Sequence, residues 1–82
     1  MVGFFILRKY PSGGGALKII LNGKDEIIED DATIASLVLL KGLNPNTVIV
    51  EYNYDLVRRE DWHDIALKEN DRLEILKFVG GG

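Results

Sequence analysis

Asn22-Gly23 is the dipeptide that most restricts what this chain can become. A two-residue type I′ turn needs positive φ at both central positions, which Asn and Gly tolerate best, and its twist matches that of the strands it joins. The flanking segments, Leu17-Lys18-Ile19-Ile20-Leu21 and Asp25-Glu26-Ile27-Ile28-Glu29, carry the aliphatic and β-branched residues that strands favour. A β-hairpin therefore opens the folded part. A lone hairpin is marginal in water, so the rest of the chain has to cover its apolar face.

The cover is a helix. Thr33 suits an N-cap, with Asp30 and Asp31 just upstream to complement the helix dipole. The spacing predicts a helix from about Ile34 to Lys41, with Ile34, Leu37 and Val38 toward the sheet. Gly42 falls where a left-handed residue ends a helix, and Leu43 supplies the apolar contact that accompanies it. Leu39 and Leu40 turn away from the buried stripe, where a surface helix normally carries polar residues. Either the sheet wraps far round the helix, or Phe4 to Leu7 covers these leucines, or a partner protein does.

Asn44-Pro45-Asn46 reads as a turn, Thr47 to Tyr52 as a strand, and Asn53-Tyr54-Asp55 as a turn into the short strand Leu56-Val57. Arg58 to Asp64 is polar and irregular, with Trp62 folded back into the core; Glu69-Asn70-Asp71 then turns into a last strand, Arg72 to Val79. This order implies an α+β β-grasp: a mixed sheet of about five strands with one main helix packed across it. The last strand pairs beside the first through a right-handed parallel crossover. Leu73 and Ile75 then point to the helix, while Glu74, Leu76 and Phe78 face the other side. Leu76 and Phe78, large and apolar near the chain end, read as a docking surface for a partner, unless a loop or the N-terminal segment covers them.

At 82 residues the chain is long enough for one small domain. Residues 1–16 read as an N-terminal extension and linker, apolar and basic from Phe4 to Lys9 and then Pro11-Ser12-Gly13-Gly14-Gly15; residues 17–82 form the domain. The apolar run Phe4 to Leu7 is shorter than a signal-peptide core, and its cations follow rather than precede it. No apolar run approaches the roughly 18 residues of a membrane span. A cytoplasmic protein without membrane contact is expected. The formal net charge is −3, and the only two cations before Leu17 meet no acid there, so the domain itself is more acidic than the total. That argues against nucleic acid as partner, because phosphate contacts need clustered Lys and Arg.

Groups for independent catalysis are sparse. With no cysteine there is no disulfide framework, thiolate metal site or sulfur nucleophile. His63 is the only histidine and its neighbour Asp64 is adjacent in sequence rather than placed by packing. Gly13-Gly14-Gly15 lacks the Lys and Ser/Thr of a phosphate loop. Neither a resident cofactor nor a metal is expected. What remains is the tail, Val79-Gly80-Gly81-Gly82. Glycine has no Cβ, so three glycines make a thin strip reaching about 10 Å beyond the strand. Such a strip suits a terminal carboxylate threaded into a slot on another protein, although glycines at a chain end also suit simple fraying. A carboxylate is a poor electrophile. Adenylation by ATP, consumed by an activating partner, would let sulfur, a thiol or an amine attack it.

Several segments, in this order, resemble the ThiS family of small sulfur carriers. They are Ile20-Leu21-Asn22-Gly23, Thr33-Ile34-Ala35, Gly42-Leu43-Asn44-Pro45, Val57-Arg58-Arg59-Glu60-Asp61-Trp62, and Asp71-Arg72-Leu73-Glu74-Ile75 leading to Phe78-Val79-Gly80-Gly81-Gly82. The resemblance runs from Leu17 to Gly82 and implies a ubiquitin-like β-grasp serving thiamine biosynthesis. It implies adenylation of Gly82 by a ThiF-type adenylyltransferase, conversion to a thiocarboxylate with sulfur from a donor such as a cysteine desulfurase, and delivery to thiazole synthase (ThiG). Val79, Gly80 and Gly81 would thread into the partners, and Gly82 would carry the adenylate and then the sulfur. Departures from the family pattern are the N-terminal extension, Leu39 and Leu40, Asn70 where glycine is common, and Tyr54 where a small or polar residue is usual. Competing readings are a MoaD-type carrier serving molybdopterin synthesis, a ubiquitin-like modifier joined to lysines, and a plain interaction module.

Overall fold

The computed structural model describes residues 15–78. The expected extension, its suggested cover of Leu39 and Leu40 by Phe4 to Leu7, and the tail Val79 to Gly82 all lie outside the described residues. Five strands form one sheet: β1 (Ala16–Leu21), β2 (Lys24–Glu29), β3 (Val48–Tyr52), β4 (Asp55–Val57) and β5 (Arg72–Lys77), in the order β2-β1-β5-β3-β4. Among the described residues one α-helix, α1 (Ile34–Leu40), packs across it. β1 and β5 run parallel and every other neighbouring pair runs antiparallel.

The hairpin forms as its dipeptide demands: Asn22 and Gly23 take φ of 51° and 84°, and Leu21 pairs with Lys24. In the capping box that starts α1, the Ser36 amide donates to Thr33 Oγ1 at 3.1 Å and the Thr33 amide donates to Ser36 Oγ at 2.9 Å. Its end is a Schellman motif about Gly42, at φ 73°: the Gly42 amide donates to the Leu39 carbonyl and the Leu43 amide to that of Val38. Lys41 is the C-cap rather than the last helical residue, and its ammonium pairs with Glu26 on β2.

The core lies between sheet and helix. Ile19, Leu73, Val50, Ile34, Leu37 and Val38 are all but fully enclosed. Leu39 and Leu40 are 68% and 72% exposed, so the sheet does not wrap that far round the helix.

β3 starts at Val48 because Thr47 closes a 3₁₀ turn, Pro45–Thr47, and three further differences from the sequence expectation bear on the site. Arg58 to Asp64 is ordered: Arg59–Asp64 is a 3₁₀ turn that packs against α1 and buries Trp62. Its polar residues face water, so no apolar periodicity announces it. β4 starts at Asp55, because Asn53 and Tyr54 form a second tight turn with φ of 49° and 76°. A tyrosine at positive φ is costly, and the Arg72 guanidinium over its ring, 5.4 Å from the centroid, compensates in part. β5 ends at Lys77, where β3 runs out of partners.

Candidate functional site

The site is built around β5, which occupies the middle of the sheet between β1 and β3 and points its C-terminal end at the tail. Both of its flanks are secured by side chains as well as by ladder bonds. On the β1 side, Asn22 serves the turn and also extends the parallel ladder: its Oδ1 accepts from the Ile75 amide at 2.7 Å and its Nδ2 donates to the Ile75 carbonyl at 3.4 Å. The Asn22 amide donates to the Leu73 carbonyl at 2.8 Å. On the β3 side the anchor is Asp71, a buried carboxylate 7% exposed. It accepts from the Tyr52 hydroxyl at 2.8 Å, from Asn53 Nδ2 at 3.2 Å and from the Lys68 amide at 2.8 Å. Burial raises the Tyr52 phenol above its ordinary value, and the hydrogen bond to Asp71 and that group's charge push it the same way.

The far end of β5 differs. Leu73 and Ile75 are buried toward the helix, while Leu76 and Phe78 are 50% and 46% exposed on the opposite face. Ile49 lies directly across from Leu76 on β3, and Leu56 on β4 adds a further exposed aliphatic group. One backbone hydrogen bond, from the Phe78 amide to the Thr47 carbonyl at 2.9 Å, ties the last described residue to the body. The point from which the tail departs is therefore set by the sheet. On the same face Glu51 and Glu74 stand directly opposite each other, a like-charge pairing that sheets disfavour and that leaves an acidic margin beside the apolar residues.

Other residues weighed in the sequence fall away from this face's chemistry. His63 is exposed and its Nε2 lies 3.4 Å from Asp64 Oδ1, two solvated side chains with no third partner among the described residues. Among the described residues no group of His, Cys, Asp or Glu could hold a metal ion. Asp71 was missed by sequence reasoning, because an acid in a turn normally faces water; the nearest signal was Tyr52, a strand residue on the core side that needs a hydrogen-bond partner.

A model of the ThiS family matches residues 16–82. The chain belongs to the ThiS family. Over 63 residues it is 41% identical to the sulfur carrier protein ThiS of Bacillus subtilis, a match covering 76% of this chain and 96% of that one. The crystal structure of a thiamine biosynthesis protein (ThiS) from Geobacter metallireducens superposes with a TM-score of 0.69 at 29% identity, over 80% of this chain and all of the other. Membership and superposition together make the fold a ubiquitin-like β-grasp. A thiazole synthase of Magnetococcus marinus is 36% identical over 66 residues, and there the chain spans only 20% of the relative's length.

Proposed function

We propose that this chain is a sulfur carrier in thiamine biosynthesis, a carrier and co-substrate rather than an enzyme, with the Gly82 carboxylate as its reacting group. The observation that carries the reading is the exit of β5: a central strand locked at its base ends at Lys77, and Phe78 leads into Val79-Gly80-Gly81-Gly82. A rigid body with a side-chain-poor tip lets a partner bind the body and take the tip into a narrow site.

The chemistry follows from the carboxylate. A Gly82 oxygen attacks the α-phosphorus of ATP in a ThiF-type partner, releasing pyrophosphate and leaving an acyl-adenylate. A persulfide on a donor such as a cysteine desulfurase attacks the acyl carbon with its outer sulfur. The C–O bond to AMP breaks to give an acyl disulfide, and a thiol reductant cleaves its S–S bond, leaving the thiocarboxylate. The thiocarboxylate then gives its sulfur to thiazole synthase. Leu76 and Phe78 dock the partners, and Val79, Gly80 and Gly81 thread into them because glycine leaves room for close walls. The family match, the similarity to the Bacillus carrier and the synthase that includes a related region support this role.

Incubation of the full chain with activating enzyme, ATP and a sulfur donor should replace one terminal oxygen by sulfur, read in the intact mass. Deletion of Gly81-Gly82 should abolish the change while the thermal unfolding midpoint stays put. An unchanged mass with a competent activating enzyme would reject the proposal, and isopeptide-linked adducts on other proteins would point to a modifier instead.

A further inference from the structure

β4 stops too early to cover β3. It pairs with Val50, Glu51 and Tyr52, whereas β5 pairs with all five β3 residues from Val48 onward. After Val57, Arg58 is still extended, but the chain then leaves the sheet as the 3₁₀ turn Arg59–Asp64. Among the described residues Val48 and Ile49 have no strand neighbour on that side, and an open groove of about 460 Å³ lies beside them. Ile49, Leu56 and Phe78 contribute apolar surface to it, and Arg58, Arg59 and Trp62 also line it. Because Phe78 is the residue from which the tail departs, groove and tail exit share a wall.

Trp62 supplies a second, independent observation. It is 4% exposed, and among the described residues its Nε1 has no hydrogen-bond partner. A buried indole N–H normally finds an acceptor, and an orphaned donor is both rare and costly. Charge points the same way. Arg58 is paired with Glu60 at 2.6 Å, while the hydrogen bond Arg59 makes is a long one, 3.4 Å, to the Pro45 carbonyl. Glu60 is paired with Arg58, on which Asp61 also acts from beside the groove, while Arg59 has no carboxylate within ion-pairing distance among the described residues.

We propose that this groove binds an extended, carboxylate-bearing segment of thiazole synthase, added as a strand beside Val48 and Ile49. Its carboxylate meets Arg59 and an apolar side chain rests among Ile49, Leu56 and Phe78; the side-chain shifts common at interfaces then bring one of its oxygens to the Trp62 indole N–H, which is covered in the free chain. At this edge the Val48 amide and carbonyl are the groups turned away from β5 and able to pair with such a segment, and the flanking side chains select it. The choice of thiazole synthase rests on the carrier reading and on the Magnetococcus synthase, in which a region similar to this chain belongs to the same polypeptide.

The test uses the full ¹⁵N-labelled chain with an unmodified Gly82 carboxylate, titrated with unlabelled thiazole synthase. The chain has one tryptophan, so its single indole N–H resonance reports Trp62 alone. That resonance and the Val48 and Ile49 amides should shift or broaden together with those of Gly80 to Gly82. Arg59→Glu should weaken binding by at least about tenfold, the range of a charge-assisted hydrogen bond, with its thermal midpoint unchanged. Trp62→Phe, which keeps most of the bulk and removes the N–H, should weaken it about fivefold. A complex in which the tail amides move but the indole does not, or wild-type affinity in Arg59→Glu, would overturn the proposal; so would an indole shift produced by self-association on concentrating the chain alone. Since the carboxylate form is used, a Gly82 that never accepts sulfur would sink the carrier reading without altering this result.

Discussion

At its start β5 is held on both flanks: Asp71 collects three donors from β3, the second tight turn and the preceding loop, and Asn22 clamps Ile75 from the hairpin. At its end the same strand leaves Leu76 and Phe78 half exposed, with one backbone bond from Phe78 to Thr47. Polar side chains fasten the base, and apolar ones are left uncovered near the tip. A carrier needs this division, because a tail threaded into another protein transmits position only if its root does not move, while the surface around it must remain free to bind.

That division can be broken most severely at its base. Asp71→Ala leaves the Tyr52 hydroxyl and the Lys68 amide without their acceptor and should cost about 3 kcal/mol in urea unfolding. A loss below about 1 kcal/mol would mean that water replaces the carboxylate and the base is not locked by it. Asn22→Ala should cost about 2 kcal/mol, since it removes the clamp on Ile75 and puts alanine at positive φ. Asn22→Gly keeps the turn and loses only the clamp, so it should fall between the wild type and Asn22→Ala.

At the tip the expectation reverses. Leu76→Ser with Phe78→Ser should lower stability by less than about 1 kcal/mol per site, as both are half exposed, yet abolish capture by thiazole synthase in a pull-down. Equal capture by this variant would detach the docking role from these two residues.

The smallest effect concerns pH. Because the Tyr52 phenol is raised above 10.0 in the folded state, its contribution to stability is complete below that value and is lost as pH rises through the folded value. The thermal midpoint of the wild type should therefore fall more steeply than that of Tyr52→Phe as pH rises above about 10, a comparison that cancels the lysines titrating in the same range. Parallel curves would show that neither burial nor Asp71 raises the Tyr52 phenol on folding.

Leu39 and Leu40 sharpen the comparison from another side. They are more exposed than Leu76 and Phe78, but they sit on the helix, away from β5 and its exit. Exposure alone does not mark the proposed docking face; proximity to the tail does.

Much of this was readable locally. Asn22-Gly23, Thr33 with Ser36, and Gly42 with Leu43 each specify a turn or cap through residues at most three apart, and the alternation along Leu73 to Phe78 separates buried from exposed side chains by its period of two. The element order then leaves few topologies for a parallel crossover. What no local pattern could supply was any contact joining distant residues. The Asn22 clamp on Ile75 spans 53 positions, and Asp71 meets Tyr52 and Asn53 from 19 and 18 positions away. The groove beside Val48 depends on β4 ending at Val57 and on the 3₁₀ turn that carries Trp62 inward. Short-range backbone preferences determined the elements and the face each side chain takes. Only the packing of the sheet decided which polar groups were buried with partners, which indole was buried without one, and where a strand edge stayed open.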